Sequence, residues 1–549
     1  MRSGPLASIG GAPAAAVRRT ALGLRAVPAL ARAGVIAPVR PDRLARMLAG
    51  LRLGTGPAAL ASVAAARHGG RPAVVDEAGA MTYVELDRRA AAIATVLGAE
   101  LGVGPGGAVA LMCRNHRGFV EAMVAISRLG ADLLLLNTDF PGPQLAGVLE
   151  RDCPAVVVLD EEFSGAFDDA GFDGPRVLAW HGDGAGEPTL DRLAGKVPAR
   201  AAWDHAEGRV VILTSGTTGR PKGAPRRPRA AALVGPTTTL LSRVPLRSGE
   251  PMFVAPPFFH GFGFAYLALG LFLGSPVVTR RRFDAEATLT AIDRHRVRSL
   301  VAVPVMLQRI MDLPPESRRR HAASSLRAVI CGAGALTGEL SSAFMDAFGD
   351  VVYNLYGSTE TGFGAIADPS DLRAAPGTVG RPPLGAAVKI LDDDGREAPT
   401  GHTGRIFVGG DLVFEGYSEG GSKDTVDGLM STGDLGHQDR EGRLFIDGRE
   451  DEMIVSGGEN VFPQEVEEVL AGHGDVADVA VLGVTDEEFG QALKAWVVRQ
   501  PGRDPSVEAL RAHVKANLAR YKVPREIAFV SELPRNPTGK VVRSRLEQA

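Results

Sequence analysis

The sequence predicts an α/β protein with a large N-terminal domain of layered β-sheets and helices and a small α+β domain at its C-terminus. Three observations carry this expectation. Through the middle of the chain, apolar runs of strand length alternate with longer helical patterns, the rhythm of sheets covered by helices. Past Gly380 the texture shifts to shorter β-rich segments punctuated by glycine, such as Gly404–Val408 and Arg443–Ile446. From about Asp451 to Ala549 a fresh alternation begins, compact enough to form its own unit. At 549 residues, 45% of them hydrophobic, the chain is long enough for several domains and a large core.

The elements follow in order. Residues 1–56 are an Ala/Arg-rich basic extension in which Asp42 is the one acid. Arg25 and Arg32 break its apolar stretch, which excludes a secretory-signal core and a membrane-spanning helix there. Arg18, Arg25 and Arg32 recur on one helical face, interrupted by Pro28. After Pro41, Leu44, Met47, Leu48 and Leu51 form an amphipathic stripe flanked by Arg43, Arg46 and Arg52. Such a helix either packs on its own domain or lies on an anionic membrane surface. The expected location is cytoplasmic, with peripheral contact at the inner face of the membrane as the sharper reading of this segment.

Strands are expected at Ala108–Met112, Ala155–Leu159, Val210–Leu213, Ser299–Val303 and Ala328–Cys331, and helices at Tyr83–Leu97 and Arg117–Leu129. Pro251–Thr279 contains no Asp, Glu, Lys or Arg. Its Phe262–Leu273 run is too short to span a bilayer and reads as a buried helix or as the wall of a substrate pocket. The last unit reads as helix Pro463–Leu470, strands Val476–Gly483 and Ala492–Val498, helix Ser506–Leu518 and strand Glu526–Phe529.

Composition narrows the function. A formal net charge of -3 gives no electrostatic reason to expect nucleic acid as the main ligand. Cys113, Cys153 and Cys331 are too far apart in sequence to suggest a disulfide framework or a zinc knuckle. Of 61 basic residues only eight are lysines, a bias that makes each retained lysine more informative, since Lys and Arg differ chemically.

The most informative stretch is Val210–Gly223, VVILTSGTTGRPKG. An apolar strand runs into a loop of glycines and hydroxyl side chains that ends in a lysine. Glycines let successive backbone N–H groups turn inward as an anion nest, and the hydroxyls and Lys222 add donors and charge. This is not a Walker A loop, because Pro221 stands where that pattern needs its second glycine.

In its order of residues this loop, Thr214–Gly223, resembles the signature of the adenylate-forming superfamily of acyl-CoA synthetases, luciferases and peptide-synthetase adenylation domains. Five more matches follow in the superfamily's order. They are Cys331–Leu336, Tyr356–Glu360, Ser431–Asp434, Gly448–Asp451 together with Ser456–Asn460, and Pro537–Lys540. The resemblance covers roughly residues 57–549 and departs only at Ala335, where the superfamily usually has proline.

The resemblance implies two steps. A carboxylate attacks the α-phosphorus of ATP to give acyl-adenylate and pyrophosphate, and the thiol of CoA then displaces AMP. It implies ATP and Mg²⁺ as cofactors and CoA as second substrate. Thr214, Ser215, Gly216, Thr217, Thr218, Gly219 and Lys222 would hold the β- and γ-phosphates. Thr214 and Glu360 would serve the metal, a hard cation that favours oxygen. Tyr356, followed by Gly357, Ser358 and Thr359, offers adenine a flat ring, and Gly332, Ala333 and Gly334 leave it room. Asp434 and Arg449 would take the ribose, and Lys540 the reacting carboxylate and α-phosphate.

Serving both steps implies that the small domain is mobile. Residues 57–449 would form the large domain and 450–549 the small one. Rotation near Asp451 would present Lys540 in one orientation and the Gly457-Gly458 loop, open to a pantetheine arm, in the other. Beside the acid pocket, Pro256–Phe264 matches the superfamily's aromatic-histidine segment, with His260 toward the substrate. No acidic residue accompanies it to pair with an ammonium, which disfavours amino acids. Gly263, Ala265 and Gly270 are expected to open a deep channel, and whole-chain similarity points to the bacterial long-chain fatty-acid group. Three alternatives stand: a fatty acyl-AMP ligase loading an acyl-carrier protein, an aryl-acid CoA ligase, and an inactive membrane-docking relative.

Overall fold

The computed structural model describes the chain apart from residues 1–25, 141, 185, 187, 197–206, 215–221, 227–229, 322, 359–361, 393, 410–423, 457–458, 487–489 and 547–549. Two largely parallel sheets build the large domain. One has six strands in the order Arg176–Trp180, Val156–Asp160, Ala108–Met112, Asp132–Leu135, Val210–Thr214 and Lys222–Arg226. The other has eight, running from Gly362–Ala367 through Val352–Ser358, Ala328–Gly332, Ser299–Ala302, Met252–Val254, Val277–Val278 and Pro72–Asp76 to Gly79–Thr82. Helices Tyr83–Leu101, Arg117–Arg128 and Gly261–Leu273 share one buried core with strands of both sheets. Strands buried on both faces read as unbroken apolar runs, which is why Val156–Asp160 was legible without alternation.

Boundaries moved where capping, not hydrophobicity, decides them. Helix Tyr83–Leu101 starts in a capping box between Thr82 and Glu85, and it runs a turn past the expected Leu97 until Gly102 caps it at φ +67°. In the small domain, Val476–Asp486 and Gly490–Arg499 pair antiparallel along their length and extend both expected strands into polar sequence. Cross-strand pairing supplies what the side-chain pattern lacks.

A third, antiparallel sheet follows, containing Ala387–Leu391, Gly404–Gly409, Leu429–Gln438 and Leu444–Arg449. A single 3₁₀ turn, Glu450–Glu452, separates it from the small domain's sheet, which begins at Ile454–Ser456. The fold is therefore α/β, with a large N-terminal part and a small C-terminal part built on a sheet of its own.

One expectation is corrected, and one pair of alternatives is narrowed. A Cβ on Gly263 would stand 2.2 Å from the Pro257 carbonyl oxygen, and one on Gly270 2.5 Å from Val277 Cγ2. These glycines let helix Gly261–Leu273 press onto its sheet and do not widen a channel, whereas Ala265 and Phe272 on the other face are exposed. The helix is thus half core and half wall. Likewise helix Pro41–Gly50 docks on helix Pro57–His68 through Gly50, where a Cβ would meet Ser62 Oγ at 3.1 Å. Its leucine stripe turns outward, with Leu44, Leu48 and Leu51 exposed by 46%, 58% and 56%. Arg18 and Arg25 lie outside the described residues. Among the described residues no helix is long and apolar enough to cross a membrane.

Glu467 and its neighbour Glu468 both have carboxyls raised by burial, Glu467 the more strongly. Glu467, on helix Pro463–Ala471, accepts a hydrogen bond from Val481 N at 2.7 Å, yet burial pushes its carboxyl up to about 7. The folded form therefore keeps a proton that the unfolded chain releases near pH ~4.3. Its contribution to stability is full below that pH and is lost as pH rises through about 7. Calorimetry from about pH 4 to pH 7.5 should show Glu467→Gln unfolding with a flatter pH dependence than the parent over this window. An unchanged slope would mean that the buried carboxyl does not set it.

Candidate active site

A cleft of about 2060 Å³ lies where the large domain, the third sheet and the small domain meet. Carboxyl ends of parallel strands deliver its residues, the usual place for ligands in such sheets. Strand Ala328–Gly332 opens into the Ala333–Thr337 loop, strand Val352–Ser358 ends in Tyr356-Gly357-Ser358, and Met252–Val254 leads to His260. His260, Gly334, Tyr356, Asp434, Arg449 and Lys540 all line the cleft, although they are separated by up to 280 positions in sequence.

Tyr356 and Asp434 form one unit. The tyrosine hydroxyl donates to Asp434 Oδ2 at 2.5 Å, and Arg449 Nη1 donates to Asp434 Oδ1 at 3.1 Å. Burial, and then the neighbouring carboxylate, push the Tyr356 phenol well above its usual range, so it stays a donor. A carboxylate has about four lone-pair sites, so Asp434 still has two for a vicinal diol. Its strand is braced by Thr432, whose hydroxyl accepts from Asp434 N at 3.1 Å and donates to the Ile406 carbonyl at 3.1 Å. Beside the tyrosine, Ala333 adopts φ +62°, a left-handed conformation that costs a non-glycine residue ~1–2 kcal/mol and recurs at functional sites. A Cβ on Gly332 would already stand 3.0 Å from the Leu355 carbonyl oxygen and one on Gly334 3.2 Å from Pro304, so both close against the loop's own supports. Loss of proline at Ala335 leaves the loop in place, because Thr337 caps the helix that follows it.

Lys540 arrives from the small domain on a tight hairpin. Asn536 Oδ1 accepts from Thr538 N, Thr538 Oγ1 and Lys540 N at 3.0, 2.7 and 2.9 Å. Arg535 holds the Gly539 carbonyl at 2.8 Å and grips Asp478. Gly539 sits at φ +84°, and a Cβ there would fall 2.5 Å from Val305 Cγ1 of the large domain. Only glycine allows this seating. The Lys540 side chain is exposed, and its charge acts on His260. Burial, and then Lys540, hold that imidazole down at about 4, which keeps it neutral near pH 7. His260 Nδ1 accepts from Phe262 N at 3.4 Å as the cap of helix Gly261–Leu273, so the ring's proton resides on Nε2.

The structure thus gathers His260, Gly332, Ala333, Gly334, Tyr356, Gly357, Ser358, Asp434, Arg449 and Lys540 around one region. Thr214 and Lys222 close the phosphate-loop segment as a register pair between strands Val210–Thr214 and Lys222–Arg226, a return strand not expected from sequence. Their side chains, and residues Ser215, Gly216, Thr217, Thr218, Gly219, Thr359, Glu360, Gly457 and Gly458, lie outside the described ones. Sequence reasoning missed two supports. Thr432 was quoted in its motif without a role, and Asn536 was signalled only by its place in an Asn-Pro-Thr-Gly turn.

A carboxylate with two spare lone pairs, a buried tyrosine and a lysine carried on a tight hairpin line one cleft, a set of groups that can take a polar, anionic ligand. The AMP-binding enzyme family model matches residues 61–418, and the AMP-binding enzyme C-terminal domain matches 465–540. Indoleacetate–CoA ligase of Aromatoleum aromaticum is 33% identical over 482 residues, 85% of this chain and 93% of the relative. Feruloyl-CoA synthase of an Amycolatopsis species is 33% identical over 490 residues, 88% of this chain and 95% of the relative. The crystal structure of the anthranilate CoA ligase AuaEII with anthranoyl-AMP superposes with a TM-score of 0.78 at 25% identity, covering 93% of this chain and 98% of that one. The chain belongs to the adenylate-forming superfamily of AMP-binding enzymes and is an acid–CoA ligase that works with ATP, Mg²⁺ and CoA.

If Asp434 takes the ribose, Asp434→Asn should raise the KM for ATP about 10-fold or more, the worth of a charge-assisted hydrogen bond, with thermal stability nearly unchanged. ATP–pyrophosphate exchange against ATP concentration measures it; an unaltered KM would remove Asp434 from nucleotide binding.

Proposed function

We propose that the enzyme converts a bulky apolar carboxylic acid, aryl in preference to alkyl, to its CoA thioester through an acyl-adenylate. The observation that carries this reading is the convergence of Lys540, neutral His260 and the Tyr356–Asp434–Arg449 unit on a cleft with an apolar wall. That wall is formed by Phe259, Phe262, Leu269 and Phe272, with no acidic residue from Pro251 to Thr279 to hold a substrate ammonium. Relatives acting on indoleacetate and ferulate support the aryl preference. The glycines first read as opening an alkyl channel are spent on helix packing, which withdraws that argument for a fatty acid.

In the first half-reaction a carboxylate oxygen bonds to the α-phosphorus while the bond to the pyrophosphate oxygen breaks. The Lys540 ammonium neutralises charge on the reacting oxygens, and His260 Nε2–H donates to the acid and orients it. Asp434 and Arg449 fix the ribose, and the Tyr356 ring lies against adenine. Mg²⁺, when bound, neutralises phosphate charge, with Thr214 and Glu360 as its proposed ligands; Ser215–Gly219 and Lys222 are proposed for the β- and γ-phosphates. In the second half-reaction the CoA sulfur bonds to the acyl carbon and AMP leaves. The proposed domains are 57–449 and 450–549, turning about Asp451, with the Gly457-Gly458 loop passing the pantetheine arm. A fatty acid is the second reading, favoured by the further apolar side chains that line the same cleft, Leu60, Val63 and Leu233 among them.

We also propose peripheral contact with an anionic membrane through helix Pro41–Gly50, on the outward leucine stripe and its flanking arginines, in a cytoplasmic enzyme. Sedimentation with phosphatidylcholine vesicles, with and without phosphatidylglycerol, tests this. Binding should require the anionic lipid and fall about tenfold in Leu44→Ser/Leu48→Ser. Undiminished binding would sink the contact.

Exchange of pyrophosphate into ATP should be fastest with aryl and fused-ring acids, and thioester should form with CoA. No exchange with any acid would overturn the enzyme reading, and exchange without CoA thioester would point to a carrier protein as acceptor. Lys540→Ala should lower exchange about 100-fold or more while leaving thioester formation from preformed acyl-adenylate nearly intact. Equal loss in both steps would end the division of labour.

A further inference from the structure

His260 sits at the end of a segment with few backbone hydrogen bonds of its own: Ala255 N donates to the Val301 carbonyl and His260 N to the Pro257 carbonyl, each at 3.1 Å. Ala255–His260 leaves strand Met252–Val254 of the eight-stranded sheet, and Pro256 and Pro257 have no N–H to donate. The Ala255 and Pro256 carbonyls, both buried there, require donors from elsewhere. Asn115 provides them from the other sheet. Its Nδ2 donates to Pro256 O at 2.9 Å and to Ala255 O at 3.4 Å, and its Oδ1 accepts from Phe258 N at 2.7 Å. With 3% of its surface exposed, the carboxamide has its orientation fixed by these partners: two acceptors need its amide and one N–H needs its carbonyl.

The carboxamide is itself held. Asn115 follows strand Ala108–Met112 and precedes His116, the cap of helix Arg117–Arg128. His116 Nδ1 accepts from Gly118 N at 3.0 Å, and Nε2 meets Asp160 Oδ1 at 2.7 Å with both side chains fully buried. Asp160 Oδ2 accepts from Arg114 N at 3.1 Å and from Arg281 Nη2 at 3.2 Å. One turn along the same helix, Phe119 packs edge-on against Phe258 with ring centroids 5.4 Å apart. Cys113, His116 and Asp160 are close enough together to suggest a metal site. The Arg281 guanidinium on Asp160 and the N–H bond into His116 Nδ1 make the group a pinned frame instead.

We infer that Asn115 is a positioning residue for adenylation: it clamps the Ala255–His260 segment across the two sheets and so sets where His260 meets the acid. It touches no reactant and acts through His260. This inference rests on the acid-binding role proposed for His260. A shift of about 1 Å at a reacting group can cost about 100-fold in rate.

The test is a double-mutant cycle read by pyrophosphate exchange, using Asn115→Ala, His260→Ala and the double variant, with the near-isosteric Asn115→Asp as a second probe should the alanine variant not fold. Asp keeps an acceptor for Phe258 N but loses both donated bonds. Either single Asn115 variant should lower kcat/KM for the acid by about 10–100-fold and leave the KM for ATP within about threefold. In the His260→Ala background the further loss should shrink to about threefold or less, because the two act in series. Independent, multiplying losses, or an equal rise in the KM for ATP, would overturn the inference in favour of a merely structural role. If His260→Ala itself adenylates normally, the acid-site reading fails first; if His260→Ala is impaired and a folded Asn115 variant is not, the positioning role alone fails.

Discussion

The architecture of the cleft depends on one close approach, the seating of Gly539 against Val303 and Val305. A Cβ at residue 539 would collide with Val305, and without that contact the ammonium of Lys540 has no fixed distance to the acid pocket. The hairpin bearing it is over-determined within the small domain by Asn536 and Arg535, so what the interface sets is the position of a rigid unit. Small apolar contact and no bulky anchor suit a seat that the proposed rotation must leave and regain. The ion pair between Arg543 and Glu452 at 2.9 Å lies beside the connecting turn. It is half-exposed and therefore weak enough to be remade.

Protonation states follow from the same burial. The imidazole of His260 is kept neutral at physiological pH by its surroundings and by Lys540, and the Tyr356 phenol is kept protonated. Each therefore stays a neutral donor: the phenol gives its proton to Asp434 at 2.5 Å, and the imidazole keeps its own on Nε2. Arg449 reaches in two directions, to Asp434 at 3.1 Å and to Asp451 at 2.9 Å. The group proposed for the ribose is thus tied to the residue proposed as the hinge. In this orientation the site proposed for the nucleotide and the proposed hinge share one guanidinium, a direct physical route by which the state of one can bias the other.

Three of the scarce lysines lie in the small domain near its sheet and hairpin and differ in what they meet. Lys540 faces the cleft, whereas Lys522 pairs with Glu465 at 2.6 Å and Lys494 with Glu526 at 3.1 Å inside the small domain. Rarity alone did not distinguish them; the turn that carries Lys540 did. The outward leucines of helix Pro41–Gly50 make the opposite point. Their periodicity was plain, but periodicity states only that a face exists, and the choice of Gly50 as the docking contact came from a backbone approach that no side-chain pattern encodes.

Strand–helix order was legible in the sequence, and so were the motifs that bring Tyr356, Asp434, Arg449 and Lys540 to one cleft, because local propensity and short ordered motifs are properties of neighbouring residues. Helix ends set by Gly102, the return strand Lys222–Arg226 and the full length of the Val476–Asp486 hairpin were not, since capping geometry and cross-strand pairing complete them. The meaning of Gly263 and Gly270 was reversed by the structure, because space beside a glycine is defined by what packs there. Asn115 illustrates the limit best. By sequence it is one polar residue after a strand, 145 positions from His260; only the apposition of two sheets puts its carboxamide on the carbonyls that two prolines leave without local support. The sequence by itself determined which chemical groups the protein has and the local elements that carry them. Tertiary structure alone decided which of those groups meet, because long-range contact is set by packing between elements and not by order along the chain.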